Sequence, residues 1–134
     1  MRCTVVTGGQ EAYLPWQQQN PLIPPVVASV TAYISILLCF DCDGTLDCSG
    51  GPVKVSRLIE LQINGVYIAI VSPSPACASL HFPHVIDGAS RKDCLLKAKG
   101  KFPAALCIYV SDNPGDDAVA AEAGFAFMHP KDFR

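Results

Sequence analysis

Asp41 and Asp43 stand two residues apart in the stretch FDCDGTL, at the end of the uncharged run ISILLCF. Like charges this close disfavour each other's ionised form unless something positive lies between them. A metal ion, the surroundings of a phosphoryl group or plain water could provide that relief. Other polar residues fall at comparable points along the chain. Ser72 ends the apolar run VYIAIVS, Asp112 directly follows ALCIYVS, Asp116 comes four positions later, and Lys92 opens a helix-like segment. If a metal ion is what they share, clustered aspartates suit a hard cation, which takes oxygen ligands.

These residues are positioned by elements that the sequence also predicts. Residues 34–40 form a continuous apolar run, as expected of a central parallel strand covered on both faces. Pro52 starts a helix whose apolar stripe is Val55, Leu58, Ile59 and Ile63, and Asn64-Gly65 stops it. Residues 66–72 read as a second buried strand. A helix over 76–80 and an extended piece over 84–86 follow. A helix is predicted over 92–101, with Leu95, Leu96 and Ala98 available for packing, then a strand over 105–111. A helix over 116–123 closes at Gly124, and a short strand covers 125–128. Strand alternates with helix, which predicts an α/β domain with a mainly parallel central sheet. In such sheets ligands bind beyond the carboxyl ends of the strands. Three separate strand ends here deliver polar groups to that one rim.

The chain has 134 residues, enough for one domain. Half of it is hydrophobic and 16% is charged, so it can fill a core. A net charge of −2 gives no global basic field, and the sequence carries no specific nucleic-acid signal. The seven cysteines are an odd number and no secretory signal opens the chain, so reduced thiols and a cytoplasmic setting are expected. Cys39 and Cys42 form a CxxC, but residues three apart on a strand face opposite ways and no second pair completes a ligand set. The apolar stretch 26–40 is shorter than the roughly 20 residues of a spanning helix and follows two prolines, so it reads as a loop entering a strand. Residues 1–33 read as an N-terminal extension, with a short strand at CTVV and an irregular stretch over 15–25, ahead of a domain over 34–134.

DCDGTL, the strand-final Ser72, Lys92 and YVSDNPGDDAVAAEAGF resemble the four motifs of the haloacid dehalogenase-like superfamily across residues 34–128. The resemblance implies a Rossmann-like three-layer sandwich and a magnesium-dependent phosphatase acting on phosphate monoesters through an aspartyl-phosphate. It implies Asp41 as nucleophile and Asp43 as general acid and base. It also implies Ser72, Lys92 and Gly44 at the substrate phosphate. Asp41, Asp43 through its carbonyl, Asp112 and Asp116 would hold Mg2+. Covalent capture splits one hard displacement into two easier ones, and proton transfer by a second carboxyl is typically worth ~10²–10⁴-fold.

Ser111 departs from the family's usual glycine, Arg91 and Lys97 compete with Lys92, and Asp117 competes with Asp116. The segment 46–66 leaves no room for a cap domain. An uncapped site suits a phosphorylated macromolecule, or a small substrate enclosed by a second copy of the chain in a homo-oligomer. Two other functions fit the same residues: a non-catalytic binding or assembly module, and phosphoryl transfer to an acceptor other than water. A calcium loop counted from Asp41 fails, with Leu46 in place of its glycine and Pro52 in place of its final glutamate. His81 and His84 read as surface residues, and the lysines at 97, 99 and 101 as a solvated helix face.

Overall fold

The computed structural model describes residues 34–134, so the readings made for residues 1–33 lie outside the described residues. The elements run β1 (Ile36–Phe40), α1 (Val55–Ile63), β2 (Tyr67–Ile70), α2 (Arg91–Lys101), β3 (Leu106–Val110), α3 (Asp116–Glu122) and β4 (Ala126–Met128). The four strands are all parallel, in the order β2–β1–β3–β4. This is an α/β arrangement compatible with a Rossmann-like fold.

The period of two along a strand divides the apolar residues between two clusters. Leu37 and Cys39 of β1 pack with Cys94, Leu95 and Ala98 of α2 and with Ala120 of α3. Leu38 and Phe40 pack instead with Leu58 of α1, Ile68 and Ile70 of β2, and Cys77. Because β1 is apolar at every position it can serve both clusters, which is why its sequence shows no alternation.

Several boundaries depart from the sequence reading. The first helix begins at Val55 rather than Pro52, because Val53 is already bridged to Leu46. Ile59 and Ile63 were expected on its apolar stripe but are exposed; Leu58 is buried, with Val55 and Leu61 partly so. The helix expected over 76–80 is a single 3-10 turn, Pro75–Cys77, opened by Ser74. The extended piece around His84 is one parallel bridge to Ile70, which lengthens the sheet edge beside β2. Leu96, expected to pack, is exposed.

The cysteines differ most from expectation. Cys42 and Cys77 are joined by a disulfide where reduced thiols were expected, tying the loop after β1 to the turn after β2. Cys39 stays a free, buried thiol and does not pair with Cys42. Among the described residues no helix is long and apolar enough to cross a membrane.

Candidate active site

With β1 flanked by β2 on one side and β3 on the other, the chain leaves the sheet in opposite directions from two adjacent strand ends. The crevice at such a switch point is where open parallel sheets bind ligands. Asp41 follows β1 and Asp112 stands two residues past β3, so these carboxylates flank it. The sheet's hydrogen bonding continues into the rim. Asp41 N donates to Val110 O at 3.0 Å, Val71 N to Phe40 O at 3.0 Å and Ser111 N to Met128 O at 3.3 Å.

Asp41 is 4% exposed, and both carboxylate oxygens are occupied. Oδ1 accepts from Arg91 Nη1 at 3.1 Å, and Oδ2 from Asn113 Nδ2 at 3.0 Å. Burial raises the Asp41 carboxyl above its ordinary range. Arg91 and a backbone hydrogen bond at Cys42 oppose that shift, and Asp112 adds to it. Arg91 also donates to the buried Tyr109 hydroxyl. Tyr109 donates in turn to Asp116 Oδ2 at 2.8 Å. The same Asp116 oxygen accepts from Ser111 Oγ at 2.7 Å and from Asn113 Nδ2 at 3.3 Å. A closed ring therefore runs Asp41, Arg91, Tyr109, Asp116, Asn113 and back to Asp41. Burial pushes the Tyr109 phenol up, so it remains a neutral donor in that ring.

After Asp41 the chain turns at Gly44, whose φ is +73°. A side chain is excluded there for a second reason: a β-carbon would lie 2.0 Å from Asp112 Oδ2. The Asp112 carboxylate is thus pressed against the Gly44 backbone. Its other oxygen, Oδ1, is buried without a hydrogen-bond partner among the described residues. A buried carboxylate oxygen left unpaired is costly, and a cation at the rim would remove that cost.

Asp43 is not a member of the ring. It is exposed, and its Oδ1 accepts from Ser49 Oγ and, at 2.8 Å, from Ser74 Oγ. Those two hydroxyls hold its carboxyl below the usual range. Ser72 is buried at the end of the strand, its Oγ accepting from Ser74 N at 3.3 Å.

Lys92 is not part of this rim. Its Nζ pairs with Glu122 Oε1 at 3.7 Å on the outer side of α2, and the cation at Asp41 is Arg91. The reason is helical geometry. Cys94, Leu95 and Ala98 are the buried positions of α2, and they lie three, four and seven residues after Arg91. Lys97 pairs with Asp87, and Lys99 donates to the Ala123 and Gly124 carbonyls past the end of α3. Asp117 takes the backbone N–H of Ala118, leaving Asp116 as the carboxylate tied to the ring.

The fold therefore brings together Asp41, Gly44, Asp112 and, through Asn113, Asp116. Asp43 and Ser72 join through Ser74 on the adjacent loop. Asn113, Tyr109, Ser49 and Ser74 were not foreseen. Tyr109 carried a usable signal, a polar tip in an otherwise apolar strand, while the other three are ordinary loop residues. No family model matches the chain, and neither a curated protein nor a solved structure does.

Proposed function

We propose that the chain is a magnesium-dependent phosphatase of the haloacid dehalogenase-like type, hydrolysing phosphate monoesters through an aspartyl-phosphate on Asp41. On this reading the sheet and its two apolar clusters form the middle of a three-layer Rossmann-like sandwich. The observation that carries the proposal is the unpaired, buried Asp112 Oδ1 beside Gly44, at the switch point that Asp41 shares. A carboxylate set with one orphaned oxygen suits a hard cation. Asp41, Asp112 and the Asp43 carbonyl would hold Mg2+, with Asp116 fixing Asn113 behind them. When bound, the ion supplies Lewis-acid polarisation of a phosphoryl oxygen.

The chain's own residues account for the remaining chemistry. Asp41 frees one oxygen from its donor and bonds to phosphorus as the ester oxygen departs. Arg91, with no carboxylate partner among the described residues other than Asp41, offsets the charge at the nucleophile and takes the role expected of Lys92. Ser72 offers a buried hydroxyl to the phosphoryl oxygens. Asp43, held ionised by Ser49 and Ser74, is the base for the water that opens the acyl phosphate. For the first step an incoming anionic ester raises its pKa, so that it takes a proton from solvent water and passes it to the leaving oxygen. Between β1 and β2 the chain holds only a 3-10 turn and α1, so the site is open and suits a phosphate on a macromolecule.

A second reading, a non-catalytic binding module, is favoured by the hydrogen bonds that engage both oxygens of Asp41. A panel of phosphate esters including aryl phosphates, assayed with and without Mg2+ on the wild type and on Asp41→Asn, separates the two. Mg2+-dependent release that Asp41→Asn abolishes supports the phosphatase. Absence of release across the panel supports the module.

A further inference from the structure

Three sulfurs meet on the loops that carry the proposed site. Cys42, Cys48 and Cys77 place their Sγ atoms within 4.8 Å of one another. Cys42 and Cys77 share the disulfide, and Cys48 Sγ lies 3.8 Å from Cys77 Sγ, in contact with the bond. Exposure distinguishes the members: Cys42 and Cys77 are fully buried, whereas Cys48 is exposed. The other free thiols of the described residues, Cys39, Cys94 and Cys107, are all buried in the apolar cluster on the far side of β1. Cys48 is therefore the free thiol placed both to reach solvent and to touch a disulfide.

We propose that Cys42, Cys48 and Cys77 form a thiol–disulfide exchange site in which Cys48 is the attacking thiolate. Cys48 Sγ bonds to Cys77 Sγ, the Cys42–Cys77 bond breaks, and Cys42 leaves as the thiolate and takes up the proton Cys48 gave up. The number of disulfides is unchanged, so no oxidant is consumed. Chain entropy does not oppose the exchange. The two pairings span 35 and 29 residues, a difference worth only a factor of about 1.3 in loop closure. The exchange turns a disulfide with two buried ends into one with an exposed end. A low-molecular-weight dithiol can then reduce it, closing to its own disulfide as both protein sulfurs become thiols.

The loops involved carry the proposed chemistry. Cys42 lies between Asp41 and Asp43, Cys48 adjoins Ser49, and Cys77 closes the turn opened by Ser74. Both serines hold Asp43. An effect of exchange on turnover rests on the phosphatase reading; the exchange itself does not.

The test is disulfide mapping of the full chain by acid-quenched alkylation and peptide mass spectrometry, with no phosphatase assay involved. Wild type held near pH 8 is expected to show both Cys42–Cys77 and Cys48–Cys77 peptides. Cys42→Ser treated with oxidised glutathione is expected to form Cys48–Cys77. Dithiothreitol is expected to reduce the wild type about tenfold faster, or more, than Cys48→Ser, whose disulfide stays buried. A wild-type map with Cys42–Cys77 alone, together with equal reduction rates in wild type and Cys48→Ser, overturns the proposal. The wild-type map needs no substitution, so a misfolded variant leaves it decisive.

Discussion

Replacing Gly44 with alanine tests whether the close approach of loop and carboxylate builds a cation site. At φ +73° any L residue carries a left-handed penalty of about 1–2 kcal/mol. Gly44→Ala adds a second effect, because its methyl would lie 2.0 Å from Asp112 Oδ2 and 2.8 Å from Cγ, so that carboxylate must move. Gly50 is the matched control, with φ +82° and nothing within 4 Å of a β-carbon. Thermal unfolding measured with and without Mg2+ reads both effects. In a domain of this size each kcal/mol shifts the midpoint by about 3–6 °C. Mg2+ at one hundred times its Kd contributes about 2.7 kcal/mol, a rise on the order of 10 °C in the wild type. Gly50→Ala should lose the backbone term and keep that rise. Gly44→Ala should lose at least as much stability and most of the rise. A full Mg2+ response in Gly44→Ala, or its loss in Gly50→Ala, would mean that the approach of Gly44 to Asp112 builds no cation site.

Arg91→Ala removes the cation that lowers the Asp41 carboxyl, so the acid limb of a pH–rate profile should move to higher pH. Breaking this largely buried pair should cost about 1–3 kcal/mol in denaturant unfolding, below the 3–5 of a fully buried one. Lys92→Ala, which breaks only an exposed pair, should change stability by less than about 1 kcal/mol and leave the profile in place. Because burial raises the folded pKa of Asp41 above its unfolded value, the native state holds its proton longer. Stability from this group is present in acid and falls as pH climbs through the raised pKa. Relative to wild type, Asp41→Asn should therefore gain stability as pH climbs from below the ordinary carboxylate range to neutral, on top of whatever the lost Arg91 pair costs it; a pH-independent difference would contradict this. Asp43 has the opposite sign, its lowered pKa giving stability that is lost as pH falls through it. The double variant Ser49→Ala/Ser74→Ala should move its carboxyl resonance, followed by NMR titration, toward the ordinary value.

The strands were the most legible part of the fold, because a strand buried on both faces writes itself as an unbroken apolar run and ends where the first charge appears. Asp41 and Asp112 are such first charges, so their place on one rim followed from the run lengths alone. Choosing the cation required knowing which side of α2 faces inward. Lys92 was expected because it opens the predicted helix, and a place at a helix start does not say which face of the helix a side chain takes. The buried set Cys94, Leu95 and Ala98 selects Arg91. The hydrogen-bond ring was beyond reach for a different reason. Asn113 bridges Asp41 and Asp116 across 72 and three residues of sequence, a separation that no local pattern encodes. The Cys42–Cys77 bond likewise joins loops that only the sheet brings together.

On the proposed mechanism Asp41 becomes covalently phosphorylated. The wild type mixed with Mg2+ and an aryl phosphate, quenched in acid within the first turnovers and mapped by mass spectrometry, should carry a phosphoryl group on the peptide containing Asp41. Hydroxylamine should remove the group, as it does from an acyl phosphate, and Asp41→Asn should show none. Mg2+-dependent hydrolysis that proceeds without any label on that peptide, and survives in Asp41→Asn, would contradict the account.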